Sequence, residues 1–256
     1  MESDKIYNMD GLESDKIYNI DCLEGMKHIP DGSIDAIICD LPYGTTANKW
    51  DSIIAFDQLW EQYKRIAKPK APIVLFGSEP FSTMLRMSNL DGYRYDWIWE
   101  KDRPGNFMQA KNQALKVHEI ISVFGKESPN YYPQGLKRCN KRNASYSGTN
   151  GTNLTNAYDG GKYAQEFENY PTSILRYDVE REGFHPTQKP VDLLRYLIRT
   201  YSNEGDTILD NCMGSGTTAV ACIKEKRHFI GFELNKEYYD KACQRIDAEQ
   251  RQLTLF

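Results

Sequence analysis

The chain lacks the features that mark membrane, secreted and metal-binding proteins. No apolar run approaches the ~20 residues that span a bilayer, and the opening residues MESDKIYNMD contain neither the basic region nor the apolar run of a secretory signal. Six cysteines are scattered without a C-x-x-C pair, which argues against a disulfide framework and against a zinc site. We therefore expect a protein of the reduced cytosol that holds no metal.

The chain as a whole also lacks an excess of positive charge. Its formal net charge is −4, but the segment 101–143 contains nine Lys or Arg and three acids. This segment alone carries +6, so the remaining residues carry −10. A local basic region on an acidic protein is typical of a surface that binds a polyanion, and a solvated surface loop would have the same composition.

Short apolar runs alternate with helical patterns at both ends of the chain. The run IDAIIC is almost continuously apolar, as expected for a strand that is covered on both faces. This alternation predicts an α/β fold with a Rossmann-like, doubly wound and mostly parallel sheet. A strand pair without an intervening helix predicts an antiparallel edge. The strands are expected at 16–20, 34–39, 72–76, 95–99, 118–124, 207–210 and 228–233.

The pattern stops between residues 127 and 184, where Gly, Asn, Ser and Tyr dominate and no strand or helix period is visible. A stretch of this length inside a compact domain is usually functional or disordered, and its seven tyrosines favour ordering on a partner. The chain also opens on two copies of an eleven-residue segment that match at nine positions, too few copies for a solenoid. The predicted regions are one half of a domain at 1–126 (with a duplicated extension at 1–12), an inserted region at 127–184, the second half at 185–250 and a tail at 251–256.

The segment ILDNCMGSGTT (208–218) reads as a strand, an acid, a G-x-G turn and the start of a helix. Gly214 and Gly216 allow the backbone to approach a ligand closely, next to the free N–H groups of a helix N-terminus. Glu233 ends the next strand, where an acid can accept hydrogen bonds from ribose hydroxyls. The third glycine of a dinucleotide fingerprint and a P-loop are both absent. The pattern therefore indicates an adenosine-binding half of a Rossmann-like sheet.

The segment DLPYGTT (40–46) follows the apolar run IDAIIC directly. Asp40 supplies a carboxylate, Pro42 fixes the backbone that carries its carbonyl, and Tyr43 supplies an aromatic ring. Together they suit the binding of a flat, polar group. The alternative is an ordinary turn in which Asp40 caps a helix.

The motifs DLPY, DNCMGSGTT and HPTQKP (185–190) resemble those of amino-methyltransferases that use S-adenosylmethionine. Their order resembles the circularly permuted β group of DNA amino-methyltransferases, in which a target-recognition region lies between the two halves. The resemblance covers roughly residues 16–250. Three positions depart from the usual pattern, because Leu41 and Asn211 replace prolines and Cys212 replaces an aromatic residue.

The resemblance implies a DNA adenine-N6 methyltransferase that acts on a base flipped out of double-stranded DNA. Asp40 and the Pro42 carbonyl would each accept an N–H of the exocyclic amine, and Tyr43 would stack on the base. An aspartate at the head of this motif favours adenine N6, whereas a serine would favour cytosine N4. Cytosine N4 remains an alternative, followed by an RNA methyltransferase and an inactive DNA-binding subunit.

The resemblance also implies the residues that bind the cofactor and the DNA. The predicted cofactor-binding residues are Asp21, Cys22, Asp40, Lys189, Asp210, Cys212, Met213, Gly214, Gly216, Thr217, Glu233 and Leu234. For Asp21, capping the N-terminus of the next helix is an equal alternative to binding the cofactor. His185 is expected to be structural, and Trp99 is expected in the core. The predicted DNA-binding residues are Lys101, Arg103, Lys111, Lys116, Lys137, Arg138, Lys141 and Arg142.

The last residues, QLTLF (252–256), resemble the short peptide with which bacterial proteins bind the replication sliding clamp. Leu253, Leu255 and Phe256 would enter an apolar groove and Gln252 would add hydrogen bonds; the alternative is a tail that folds onto its own domain. The resemblance further implies a protein of the cytoplasm of a bacterial or phage-infected bacterial cell. It also implies a possible homodimer, since dimers are common in this family. No interface, DNA site or restriction partner can be read from the sequence.

Overall fold

The computed structural model describes residues 12–44, 52–142, 164–181 and 188–253. The duplicated extension up to residue 11, the middle of the predicted insertion, His185 and the last three residues of the QLTLF tail lie outside these ranges. The chain forms two compact units, one made of Met1–Tyr132 with Ser173–Phe256 and the other of Pro133–Thr172.

The larger unit is built on one eight-stranded sheet. Its strand order is β1-β10-β9-β2-β3-β5-β4-β8, and the first five strands in this order are parallel. The strands of this sheet are β1 (Lys16–Tyr18), β2 (Ala36–Cys39), β3 (Ile73–Gly77), β4 (Tyr93–Glu100), β5 (His118–Phe124), β8 (Ile174–Arg176), β9 (Thr207–Asp210) and β10 (His228–Phe232).

Helices cover both faces of this sheet. Because side chains alternate along a strand, Ile37 and Cys39 of β2 face one apolar cluster and Ile38 faces the other. The helices α1, α2 and α3 pack on the first cluster, and α4, α5 and α6 pack on the second. The predicted Rossmann-like, mostly parallel sheet is therefore confirmed. The helices are α1 (Cys22–Met26), α2 (Phe56–Ile66), α3 (Phe81–Ser88), α4 (Val191–Tyr201), α5 (Thr217–Lys224) and α6 (Lys236–Leu253).

Strands β4 and β5 form the antiparallel pair that the sequence predicted, and β5 is also antiparallel to β3. The predicted pair is not the outermost part of the sheet. The last position belongs to β8, which pairs in parallel with β4. The sequence predicted no strand there because the three residues of β8, ILR, lie inside the Gly-, Asn-, Ser- and Tyr-rich stretch 127–184 and show no alternation of apolar and polar residues.

The smaller unit contains an antiparallel hairpin of β6 (Lys137–Arg142) and β7 (Ala164–Glu168). The sequence predicted no regular structure here either, since KRCNKR lacks the apolar alternation of a half-buried strand. Helix α6 continues to Leu253, so the first three residues of the tail predicted at 251–256 belong to this helix. No helix among the described residues is both long and apolar enough to cross a bilayer.

The fold brings three chain segments to one edge of the sheet. Strands β2, β9 and β10 are parallel and adjacent, so their carboxyl ends lie side by side. Asp40 follows β2, Asp210 ends β9 and Glu233 follows β10. Ligands of open α/β sheets bind at this edge, where the order of the strands reverses.

Candidate active site

A cavity of about 520 Å³ opens at this edge of the sheet. All three predicted catalytic residues line it, as do all predicted cofactor-binding residues except Gly216. None of the predicted DNA-binding residues is among the residues that line it. The predicted residues around the cavity are Asp21, Cys22, Asp40, Pro42, Tyr43, Lys189, Asp210, Cys212, Met213, Gly214, Thr217, Glu233 and Leu234.

The G-x-G turn joins β9 to α5 through two glycines in the left-handed region. Gly214 has φ 53° and Gly216 has φ 75°. The positive φ of Gly216 favours glycine, and a Cβ there would also lie at a tight 3.2 Å from the Cβ of Ala242 on α6. Gly216 therefore shapes the turn and does not line the cavity.

The Glu233 carboxylate holds the turn from the neighbouring strand. Its Oε2 accepts the Gly214 N–H at 2.8 Å and its Oε1 accepts the Asn235 N–H at 2.7 Å. Burial raises the pKa of Glu233, and these two hydrogen bonds oppose the rise. A carboxylate offers about four lone-pair sites, so Glu233 keeps acceptor capacity for hydroxyl groups of a ligand.

Asp210 organises the opposite side of the turn. It is 4% exposed, its Oδ2 accepts the Thr218 hydroxyl at 2.6 Å and its Oδ1 accepts the Cys212 N–H at 3.1 Å. Burial raises the pKa of Asp210 to about 6, and the Thr218 and Cys212 hydrogen bonds oppose the rise. Sequence reasoning missed Thr218, which reads as an ordinary residue in the first turn of α5.

The departures from the usual family pattern are accommodated by packing. Leu41 is 3% exposed and lies in the apolar cluster of α1, α2 and α3. The buried Asn211 accepts a hydrogen bond from the Tyr63 hydroxyl at 2.5 Å and donates to Cys212 Sγ at 3.6 Å. The substituted residues therefore keep the strand end fixed through side-chain contacts.

Asp21 has the geometry of a helix cap. Its Oδ1 accepts the N–H groups of Leu23 at 2.9 Å and Glu24 at 3.2 Å, at the start of α1. The same residue lines the cavity. Asp21 therefore caps α1, and it also lies where its side chain could contact a ligand in the cavity.

Asp40 is held by donors on both carboxylate oxygens. Its Oδ1 accepts the Tyr43 hydroxyl at 2.6 Å, and its Oδ2 accepts the Lys189 ammonium. The Tyr43 ring stacks on Phe81, with ring centroids 5.0 Å apart and an interplanar angle of 30°. Two of about four acceptor sites of the Asp40 carboxylate are used in this way, which leaves capacity for a ligand N–H.

A chain of four charged side chains runs inward from Asp40. Lys189 is 7% exposed, and its Nζ contacts Asp40 and lies 3.5 Å from Glu119 Oε2. The other oxygen of Glu119 contacts Lys101, whose ammonium lies 4.8 Å from the ring centroid of Trp99. We call Asp40, Lys189, Glu119 and Lys101 the charge chain. Sequence reasoning did not single out Glu119, although an acid at the start of the apolar strand HEIISVF was a signal.

Charge and burial set the pKa values along the charge chain. Burial raises the pKa of Asp40, Lys189 opposes the rise and Glu119 adds to it. For Glu119 burial acts in the same direction, but the charges of Lys189 and Lys101 outweigh it and lower the pKa. The difference follows from the neighbours, since Glu119 contacts two ammonium groups and Asp40 contacts one.

Two of the predicted DNA-binding residues, Lys101 and Lys116, use their ammonium groups for contacts within the larger unit. The Lys101 side chain is 15% exposed and pairs with Glu119, and the Lys116 ammonium donates to the Ser78 hydroxyl. The expectation that Lys101 meets a phosphate therefore does not match its position. Trp99 is 2% exposed, as expected for a core residue.

The other predicted DNA contacts are exposed wherever the structure describes them. Arg103 and Lys111 lie in the same loop as Lys116, and Arg103 is 3.5 Å from Asp102. Lys137 and Arg138 are exposed on β6 of the smaller unit. The side chains of Lys141 and Arg142 lie outside the described part of the chain.

Gln188 presents an unsatisfied acceptor at the cavity. Its Oε1 is buried and has no hydrogen-bond partner among the described residues, and the residue lines the cavity. Leaving a buried acceptor unpaired costs about 1–3 kcal/mol, so this atom indicates a ligand that donates a hydrogen bond. Within the described ranges, no group of His, Cys, Asp and Glu is arranged to hold a metal ion.

We expect Asp210→Asn to change how stability depends on pH. The folded-state pKa of Asp210 is about 6 and its ordinary value is 3.8, so folding disfavours the ionised form. Wild-type stability should fall relative to the variant as the pH rises from 4 to 6, by roughly 3 kcal/mol at about 1.36 kcal/mol per pKa unit. Urea unfolding of both proteins between pH 4 and 7 measures this difference. The exposed Asp91→Asn is the control, and a wild-type to Asp210→Asn difference that does not vary with pH contradicts the assignment.

Comparison with known proteins identifies the family. A family model described as DNA methylase matches residues 34–244. The chain is also 30% identical over 238 residues to "DNA adenine methyltransferase YhdJ" of Escherichia coli (strain K12), an alignment that covers 87% of this chain and 79% of that protein.

Two solved structures share the fold. The "crystal structure of M1.HpyAVI-SAM complex" has a TM-score of 0.60 at 24% identity and covers 90% of this chain and 98% of its own. The "PvuII DNA methyltransferase (cytosine-N4-specific)" has a TM-score of 0.66 at 16% identity and covers 92% of this chain and 87% of its own. With a family match over most of its length and a cavity at the expected edge of the sheet, the chain belongs to the DNA methylase family.

Proposed function

We propose that this protein is a site-specific DNA methyltransferase that transfers a methyl group from S-adenosylmethionine to N6 of an adenine flipped out of double-stranded DNA. The observation that carries the proposal is the position of Asp40 and Pro42 on the same cavity as Glu233 and the G-x-G turn. Family membership supports the reaction class, and the name of the YhdJ relative supports adenine.

The hydrogen-bond acceptors of the cavity fit the cofactor. Glu233 retains lone pairs for ribose hydroxyls, and the unsatisfied Gln188 Oε1 suits an ammonium or an amide donor. Gly214 brings backbone to the cavity, and Leu234 adds apolar surface. S-adenosylmethionine supplies an electrophilic methyl group on a sulfonium. The remaining steps depend on how the protein positions the nitrogen of the base.

The exocyclic amine of adenine is a poor nucleophile because its lone pair is delocalised into the ring. If Asp40 and the Pro42 carbonyl each accept one N–H, the nitrogen is drawn toward tetrahedral geometry and its lone pair is localised. Tyr43 and Lys189 fix the Asp40 carboxylate before the base arrives. Catalysis thus rests on positioning and on preorganised acceptors. The nitrogen becomes acidic only after methylation, when the accepting oxygen of Asp40 is placed to take the proton.

Tyr43 has two roles in this proposal. Its hydroxyl orients Asp40, and Phe81 covers one face of its ring. Since Tyr43 also lines the cavity, we assign its other face to stacking on the flipped base. Such stacking offsets part of the few kcal/mol that flipping costs.

The inserted region is proposed to select the DNA site. Exposed Arg103, Lys111, Lys137 and Arg138 suit phosphate contacts, which orient a protein on the duplex without reading sequence. We extend the same role to Lys141 and Arg142. The order of DLPY before the G-x-G turn supports the permuted β group, with the target-recognition region between the two halves. A fold shared with a cytosine-N4 enzyme does not distinguish the two bases; the aspartate at position 40 favours adenine.

Expression in a methylation-free host, followed by long-read sequencing of its DNA, tests the proposed reaction. We expect N6-methyladenine in one fixed sequence context. Asp40→Ala should abolish it because no carboxylate remains to accept the amine N–H, while cofactor binding, measured by calorimetry, should stay within about threefold. Asp91→Ala, which removes an exposed acid, is the control. N4-methylcytosine would overturn the base assignment, and modification by Asp40→Ala would overturn the mechanism.

Lys189→Met should shift the pH dependence of methyl transfer. The ionised Asp40 carboxylate is the stronger acceptor for the amine N–H and the form that can take the proton after methylation, and Lys189 opposes the rise in its pKa. Without the ammonium the pKa of Asp40 rises further, so the acidic limb of kcat/KM should move up by one unit or more. Lys189→Arg keeps the charge and should keep the limb near its wild-type position. If Lys189 served only to bind the cofactor, Lys189→Met would instead raise the Kd for S-adenosylmethionine and leave the acidic limb of kcat/KM unmoved.

We also propose that the QLTLF tail binds the replication sliding clamp. Gln252 and Leu253 end α6, and the apolar residues Leu255 and Phe256 follow. A pull-down with purified clamp should recover the full chain and lose a chain ending at Arg251, while equal recovery of both would exclude the interaction. A homodimer in a bacterial cytoplasm remains a prediction of the family resemblance.

A further inference from the structure

A loop of residues 101–117, which we call the finger, projects from the edge of the sheet that carries the cavity. It joins the end of β4 to the start of β5, where Glu100 pairs with His118. Strand β5 is antiparallel to β3, so its first residue lies next to the carboxyl end of β3. The finger therefore begins and ends beside the strand ends that carry the active-site residues.

The finger is internally ordered. The Gly105 N–H donates to the Lys116 carbonyl at 3.0 Å. The Asn106 side chain accepts the Lys116 N–H at 2.6 Å and donates to the Ala114 carbonyl at 3.2 Å. A short 3-10 helix, Phe107–Gln109, forms its outer part. These bonds cross-link the two arms of the finger and give its tip a defined conformation.

Both arms of the finger are fixed to the active site. Lys101 at the start of one arm belongs to the charge chain and connects through Glu119 and Lys189 to Asp40. Lys116 at the end of the other arm donates to Ser78, the residue that follows β3. The base of the finger therefore contacts both the charge chain and the residue that follows β3.

The tip presents two large apolar side chains to solvent. Phe107 is 72% exposed and Met108 is 93% exposed, the highest values among large apolar residues in the described part of the chain. Exposure of adjacent large apolar side chains on an ordered loop marks a contact surface. The finger holds four Lys or Arg and one acid; Lys101 and Lys116 are engaged at its base, and Arg103 and Lys111 are exposed.

We propose that Phe107 and Met108 enter the DNA duplex beside the flipped base and fill the space that this base leaves in the stack. This inference rests on the proposed function. Phe and Met are among the side chains that proteins wedge between base steps, and a filled gap opposes the return of the base. Arg103 and Lys111, exposed on the same finger, suit the phosphates on either side. The finger thus contributes to extrusion of the base, while the cavity holds it.

The test compares a tip variant on two DNA substrates. Both duplexes carry the site found by sequencing, and in the second an abasic position stands opposite the target, so extrusion breaks no base pair. Phe107→Ala/Met108→Ala should lower kcat/KM at least tenfold on the fully paired duplex and no more than threefold on the abasic duplex. Fluorescence of 2-aminopurine at the target position should rise with the wild type and rise less with the variant.

Met87→Ala/Leu90→Ala is the matched control. These side chains are 67% and 61% exposed, and they precede β4 at the opposite edge of the sheet. The control should behave as the wild type on both substrates. An equal loss of kcat/KM by Phe107→Ala/Met108→Ala on both duplexes, or no loss on either, overturns the proposal that these side chains enter the duplex. If the wild type methylates neither duplex, the proposed function itself fails, and the inference fails with it.

Discussion

The contact between Lys189 and Asp40 is the interaction on which the rest of the site depends. It joins residues 149 positions apart, one after the strand of the DLPY motif and the other before α4 of the cofactor half. A buried ammonium costs several kcal/mol unless it is paired, so Lys189 can occupy its position only if Asp40 and Glu119 are also in place. The contact thus links the two halves of the domain at the cavity, in addition to the pairing of β2 with β9. The same contact opposes the rise in pKa that burial imposes on the carboxylate of the proposed chemistry.

The parallel sheet makes this arrangement possible. Strands β2, β9 and β10 end side by side, and the helices on both faces bury most of their residues, so Asp40, Asp210 and Glu233 lie where the strands end. Asp210 and Glu233 use that position to hold the G-x-G turn through backbone N–H groups. Each acid therefore has a structural partner before any ligand is bound, and none of them depends on the ligand for its orientation.

The fold and most of the cavity could be predicted from the sequence because their signals are local. An apolar run followed by an acid, and a strand followed by G-x-G, place Asp40, Asp210 and Glu233 without knowledge of the distant chain. The charge chain could not be predicted in this way. Glu119 and Lys101 read as members of a basic surface segment, and only the pairing of β5 with β3 and β4 turns both of them inward. The strands β6, β7 and β8 escaped prediction for another reason, since all three lie in or beside the Gly-, Asn-, Ser- and Tyr-rich stretch and none shows a clear alternation of apolar and polar residues.

The separation of the smaller unit has a consequence for how such enzymes diversify. The described residues that line the cavity all lie outside Pro133–Thr172, and the chain leaves and re-enters the larger unit once. A gene segment encoding this unit can therefore be exchanged, lengthened or mutated by recombination without altering a residue of the reaction centre. With the DNA-recognition role proposed above for this unit, new target sites would arise at the insertion while selection on the chemistry stays constant.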